Sequence, residues 1–77
     1  NPVSQIVNVD VNGLKGDLVN IQLFDYTGKL INKLMIGELK DVFTQYRFDV
    51  SNVTSGVYLM NITVGDKNIQ QRLIVIE

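Results

Sequence analysis

After Gly56 the chain alternates without a break: Tyr58, Met60, Ile62 and Val64 fall on one parity, Val57, Leu59, Asn61 and Thr63 on the other. A period of two is the spacing of a strand with one face against a core. The same period runs through residues 42–50, with Tyr46, Phe48 and Val50 expected inward and Gln45, Arg47 and Asp49 outward. Residues 18–25 repeat it, setting Val19, Ile21 and Leu23 against Asn20 and Gln22, with Leu18 and Phe24 on the outer parity. In residues 3–11 the valines Val7, Val9 and Val11 share a side with Gln5, and Ile6 is the odd residue among Ser4, Asn8 and Asp10. Residues 29–36 read as a return strand with Leu30, Leu34 and Ile36 set against Lys29, Lys33 and Asn32. In residues 67–76 Ile69, Leu73 and Val75 share one parity while Ile74 and Ile76 share the other. An end that is apolar on both sides is either covered on both faces or awaits a partner.

The segments between these runs carry turn chemistry. Asn12-Gly13 is a pair that accepts positive φ cheaply, with Gly16-Asp17 closing the same connection. Asp25-Tyr26-Thr27-Gly28 places Asp first and Gly fourth, the residue choice of a type I turn. Gly65-Asp66 is a two-residue hairpin signal. Ser51, Asn52, Thr54, Ser55 and Gly56 form a polar corner. An apolar Val53, then Gly56, then Tyr58 at a strand start gives that corner the form of a tyrosine corner. Tyr58 is therefore expected to point inward, with its hydroxyl on backbone near residues 51–54. Residues 37–41 read as a loop or as a short edge strand that switches sheets. No stretch carries a helical period. Strands at spacings of roughly 8 to 12 residues with turns between them argue for an all-β, immunoglobulin-like antiparallel sandwich of six to seven strands.

Composition narrows what such a sandwich can do. Seventy-seven residues make one domain, and a chain this short buries only about 60% of its unfolded surface. There is no Cys and no His, so neither disulfides nor the usual zinc ligands can reinforce it. Stability must come from apolar packing, for which 45% hydrophobic against 19% charged residues is adequate. The net charge of −1, with Lys and Arg scattered singly, builds no basic stripe for nucleic acid. No apolar run approaches the roughly 20 residues of a membrane-spanning helix. The chain opens Asn1-Pro2-Val3, without the basic start of a signal peptide or an initiating Met, as a piece of a longer protein would.

The familiar nucleophilic triads cannot be written without His or Cys, and no catalytic residue is assigned. Asp10, Asp17, Asp25, Asp41, Asp49 and Asp66 stand mostly in turns or at strand ends, where Asp bonds backbone. Asp25 with Asp49 is the one pairing that could contribute to a Ca²⁺ site, but no D-x-[DN]-x-[DN]-G run is present and structural turns account for both. No metal site or cofactor is expected. Asn52-Val53-Thr54 and Asn61-Ile62-Thr63 match the glycosylation acceptor pattern and read as coincidences.

One ordered set of segments resembles a known family. Asn1-Pro2, Leu23-Phe24-Asp25-Tyr26-Thr27-Gly28-Lys29, Phe48-Asp49-Val50-Ser51 and Ser55-Gly56-Val57-Tyr58-Leu59 together are similar to the type A C-terminal sorting domain of the type IX secretion system. The resemblance covers nearly the whole chain. It implies an immunoglobulin-like sandwich at the end of a protein exported through the periplasm and outer membrane of Bacteroidetes-type bacteria, to be secreted or held at the cell surface. The partners implied are the outer-membrane translocon, a cell-surface sortase that removes the domain, and lipopolysaccharide to which cargo is joined. Residues 1–77 would then be one sorting domain cut from a longer secreted protein.

Carried over from the family, the signal falls on Gly56, Val57, Tyr58, Leu59, Gly65, Gln71, Arg72, Leu73, Ile74, Val75 and Ile76, with Asp25, Gly28, Asp49, Ser51 and Tyr58 as turn and corner residues. Many members have Lys where this chain has Gln71 or Arg72, and end on a basic residue where this one has Glu77. The terminal strand edge also invites self-association, with Lys67 and Arg72 as modest guards. A spacer or carbohydrate-binding accessory module of an extracellular enzyme shares the expected fold, so fold by itself does not separate the two readings.

Overall fold

A computed structural model describes residues 5–76. Within them the chain forms six strands and no helix: β1 (Ile6–Asn12), β2 (Leu18–Asp25), β3 (Leu30–Glu38), β4 (Phe43–Asp49), β5 (Gly56–Val64) and β6 (Lys67–Val75). β1 and β4 make a two-stranded antiparallel sheet, and the other four make a second in the order β3-β2-β5-β6. The molecule is 15 Å across its shortest axis, the depth of two stacked sheets. This is the antiparallel sandwich that the alternation predicts. Among the described residues no seventh strand forms. Asn1, Pro2, Val3, Ser4 and Glu77 lie outside the described residues, so the expected strand start at Val3 does too.

The inward residues of β1, β2, β4 and β5 are those the period indicates. Val9, Val11, Val19, Ile21, Leu23, Tyr58, Met60, Ile62 and Val64 are buried, and Val50 continues β4 into the core. Tyr46 and Phe48 are half-buried on the same face of β4, their rings stacked 6.3 Å apart. Ile6 is exposed, as its parity requires.

β3 departs from the expected pattern. Its pairing with β2 slips between Ile21 and Gln22 and again between Leu23 and Phe24, so that Leu34 and Ile31 are extra residues in the ladder. Each extra residue reverses the parity of the strand beyond it. Met35 thereby comes opposite the buried Ile21, while Ile36 comes opposite Asn20 on the outer face and is 64% exposed. Leu30 is also largely outside, and Leu34 and Met35 are the residues of this strand that reach the core.

The Asn12-Gly13 pair is not the turn it resembles. Asn12 ends β1 opposite Phe43, and Gly13 N–H donates to the Val42 carbonyl at 3.0 Å, which prolongs the β1–β4 ladder. The turn comes at residues 14–17: Asp17 N–H donates to Leu14 O, Leu14 N–H donates to Asp17 Oδ2, and Gly16 carries φ 92°. Gly13 is needed for space. A Cβ placed there would stand 2.8 Å from Val64 Cγ1 and 3.0 Å from Leu39 Cδ2.

Leu39 explains the segment that periodicity leaves open. It sits between β3 and β4, where the chain passes from the large sheet to the small one. Its carbonyl accepts Gly16 N–H and its N–H donates to the Asp17 carbonyl, both at 2.8 Å. Those two bonds clamp the sheet-switching loop onto the residue 14–17 turn and leave the Leu39 side chain 1% exposed in the core.

Candidate functional site

Three local structures position the residues of interest. The first is the corner at residues 49–58. Asp49 Oδ1 accepts the N–H and the hydroxyl of Ser51, and Ser51 Oγ accepts Gln5 N–H at 2.9 Å. Val53 N–H donates to Val50 O, which turns the chain and buries Val53. Tyr58 then points into the core, and its hydroxyl donates to the Thr54 carbonyl at 2.6 Å with Thr54 Oγ1 at 3.1 Å. The ring fills the interior while its one polar atom returns to a backbone acceptor.

The second is the β2–β3 hairpin. Gly28 N–H donates to Asp25 O and Asp25 N–H donates to Lys29 O, with φ 91° at Gly28. Asp25 Oδ1 gathers the Thr27 hydroxyl at 2.6 Å and the N–H groups of Thr27 and Lys29. Donors aimed at a carboxylate favour its charged form. The Thr27 hydroxyl chiefly, then the backbone N–H groups, hold the Asp25 carboxyl below the usual range. The Ser51 hydroxyl and N–H do the same for Asp49. Both carboxyls are committed to their own turns. Among the described residues no three acidic side chains gather as a metal site.

These shifts carry a sign. A carboxyl whose folded pKa is depressed adds stability above its unfolded value of about 3.9, and that stability is lost as pH falls through the folded value. Thermal melts of the wild type should therefore steepen in their decline below about pH 4. Asp25→Asn with Asp49→Asn keeps the side-chain acceptor and should flatten that decline. Equal acid limbs in the two proteins would contradict the assignment.

The third is the β5–β6 hairpin, where the segments indicated by sequence meet. Gly56 pairs with Val75, Val57 with Ile74, Tyr58 with Leu73, Leu59 with Arg72 and Met60 with Gln71. Two stretches about fifteen residues apart in the chain thus become one ladder. Their side chains divide by parity. Tyr58 and Val75 are buried, whereas Val57, Leu59, Arg72 and Ile74 lie exposed on the outer face of the large sheet. Gly65 stands apart at the far end of the hairpin, where φ 59° on the first turn residue alone suits a type II′ turn. Ile76 lies just beyond β6, and its carbonyl accepts the Gln5 side-chain amide. The apolar end of β6 is not covered on both faces, since Ile69, Ile74 and Ile76 are all more than half exposed.

Tertiary pairing enlarges this patch with residues that periodicity does not mark. Phe24 of β2, half-buried, lies between the exposed Leu59 of β5 and Leu30 of β3, so an apolar row crosses the outer face of the sheet and ends at Arg72. The next row, Lys33, Gln22, Asn61 and Gln70, is wholly polar, and Oδ1 of both Asn20 and Asn61 is shielded without a partner. The outer face of the small sheet presents Asn8, Asp10, Gln45, Arg47 and Asp49, with Ile6 at one end and Phe43 at the other. The outer face of the small sheet is polar along its middle; that of the large sheet is apolar over the end that holds β5's start and β6's end.

An all-β module that exposes apolar side chains on its closing hairpin has the form of a binding domain. The family model described as secretion system C-terminal sorting domain matches residues 1–76. The chain belongs to that family: it is a type IX secretion sorting signal, and such a signal implies interaction with the secretion machinery and export across the outer membrane to the cell surface or beyond. Sorting-signal domains of this family are typically non-catalytic. Neither the curated proteins nor the solved structures yield a match.

Proposed function

We propose that this domain is the removable, non-catalytic address at the end of a longer exported protein. The translocon reads it, a cell-surface sortase cuts upstream of it, and the released cargo is joined to lipopolysaccharide. The recognised surface is the ladder of Gly56, Val57, Tyr58 and Leu59 with Gln71, Arg72, Leu73, Ile74, Val75 and Ile76. Gly65 contributes through the hairpin geometry, and Asp25, Gly28, Asp49 and Ser51 through the turns that hold the sheets in place. What supports the reading is the meeting of these two stretches in one exposed patch, in a chain whose family is a sorting signal. Tyr58 and Val75 are buried, so their part is to shape that surface and not to touch a partner.

A fusion of residues 1–77 to a periplasm-targeted reporter tests this in a type IX-competent strain. The full fusion should reach the medium or cell surface, and removal of residues 71–77 should leave the reporter in the periplasm. Because that deletion also removes the buried Val75, Val57→Ser with Ile74→Ser provides a version that spares the core. It should fold and still lose most export. Undiminished export from both altered fusions, or none from the full fusion, would overturn the proposal.

A further inference from the structure

The two edges of the large sheet are not alike. β3 bounds one side and is broken by two register shifts, with Lys33 on the outer face between them. Bulges and charges of this kind are how proteins stop an edge from templating another strand. β6 bounds the other side, and its nine pairs with β5 run without a shift or a proline. Its only charged side chains are Lys67 and Arg72.

The direction of its main-chain groups is set by the hairpin. A two-residue loop closes on a pair that exchanges both bonds, here Val64 and Lys67, and bonded positions then alternate. Gly65 N–H donates to Leu18 O, which places odd-numbered β5 residues toward β2 and the even-numbered ones toward β6. Lys67, Ile69, Gln71, Leu73 and Val75 therefore spend their groups on β5. Asn68, Gln70, Arg72 and Ile74 turn theirs out to an edge that, among the described residues, no further strand covers. Ile76 is next in that series, and its carbonyl accepts the Gln5 amide.

Beside this edge lies a cleft of about 510 Å³ between β6 and β1. Its floor is the core itself, with Val9, Val11, Ile62 and Val64 among its walls, and Ile69 and Leu73 at the β6 side. Two strands of the small sheet cannot cover four. Ile69 has the inward parity yet is 51% exposed.

We infer that β6 is completed by an extended segment of the protein that recognises the domain, added edge-on to Asn68, Gln70, Arg72 and Ile74. Alternate side chains of that segment are apolar and enter the cleft beside Ile69 and Leu73. Its flanking positions are acidic, because both charges on the edge strand are cations and they stand on opposite faces, Lys67 inward and Arg72 outward. An acyl chain could fill the cleft but would leave the outward N–H and carbonyl groups unpaired; a strand satisfies both features. This inference rests on the sorting reading and adds its mode of recognition.

Proline separates the two occupants. At position 70 the N–H faces outward, so Gln70→Pro spares the β5–β6 ladder while removing a donor from the free edge. In the same export assay, Gln70→Ala should behave as wild type. Gln70→Pro should fall about tenfold or more, the change that roughly 1.4 kcal/mol makes in an equilibrium. Ile69→Lys, at an already exposed site, should lose export similarly by placing a charge in the cleft. Circular dichroism of the purified domains establishes which variants fold. A folded Gln70→Pro that is exported normally overturns the inference, and loss in Ile69→Lys beside it would point to the acyl chain. Should Gln70→Pro not fold, Ile69→Lys decides alone, and normal export of it overturns the strand. A wild-type fusion that is never exported refutes the sorting reading itself, a distinct result.

Discussion

Leu39→Ala should cost about 2–5 kcal/mol and lower the midpoint of thermal unfolding by roughly 10 °C or more. The residue lies in a loop, where large losses are unusual, but its side chain is 1% exposed and its main chain is bonded on both sides to residues 16 and 17. The backbone clamp holds the loop in place after truncation, so the vacated volume cannot collapse easily, which favours the upper part of that range. Denaturant titration of the purified domain measures it. A loss under about 1 kcal/mol would mean that the loop closes over the gap.

Gly13 sharpens the same test. A methyl group there meets both Leu39 and the stiff Val64, so Gly13→Ala should cost about 1–3 kcal/mol on its own. Combined with Leu39→Ala, which removes one of the three close contacts (Val64, Leu39 and Asp17), it should cost less than the sum of the single changes. Strict additivity would show that the packing is looser than the contact distances imply.

Tyr58 carries the second large effect. Tyr58→Ala should remove about 3–5 kcal/mol, enough to unfold much of a domain this small. Tyr58→Phe isolates the hydroxyl. It keeps the ring, leaves the Thr54 carbonyl and hydroxyl without their partner, and should cost about 1–3 kcal/mol. If Tyr58→Phe melts with the wild type, the corner is held by the Asp49–Ser51 bonds and the Val50–Val53 turn without help from the hydroxyl. For the exported protein, loss of the corner would also move the start of β5 away from the end of β6. Export should then fall even though no exposed side chain has changed.

Much of this architecture is legible along the chain because a strand's register with the core is a local property. In β2 and β5 each inward residue is named by its parity, and Val19, Ile21, Leu23, Met60, Ile62 and Val64 are all buried. Turn chemistry is local too where a side chain bonds its own backbone, as at Asp25, or where one residue must take positive φ, as at Gly65. Parity fails on β3, since a bulge is chosen by pairing with β2 and has no signature in the strand that contains it. At Asn12-Gly13 it misdirects for a different reason. A glycine required by crowding looks the same in sequence as one required by φ, and only the approach of Leu39 and Val64 tells them apart.

The exposed patch was half visible. Its β5 and β6 members are positions to which the family's signal is carried over, whereas Phe24 and Leu30 join it only through the strand order β3-β2-β5-β6. What the amino-acid sequence determined by itself was the alternation, the turns and the absence of His and Cys, and hence a layered β domain without the usual nucleophile–base pairs. Tertiary structure decided which edge stays open, that two strands face four, and that a cleft runs beside β6. Those are consequences of which strands become neighbours. The free energy of pairing is shared between segments far apart in the chain, and a pattern read along one strand holds no information about its partner.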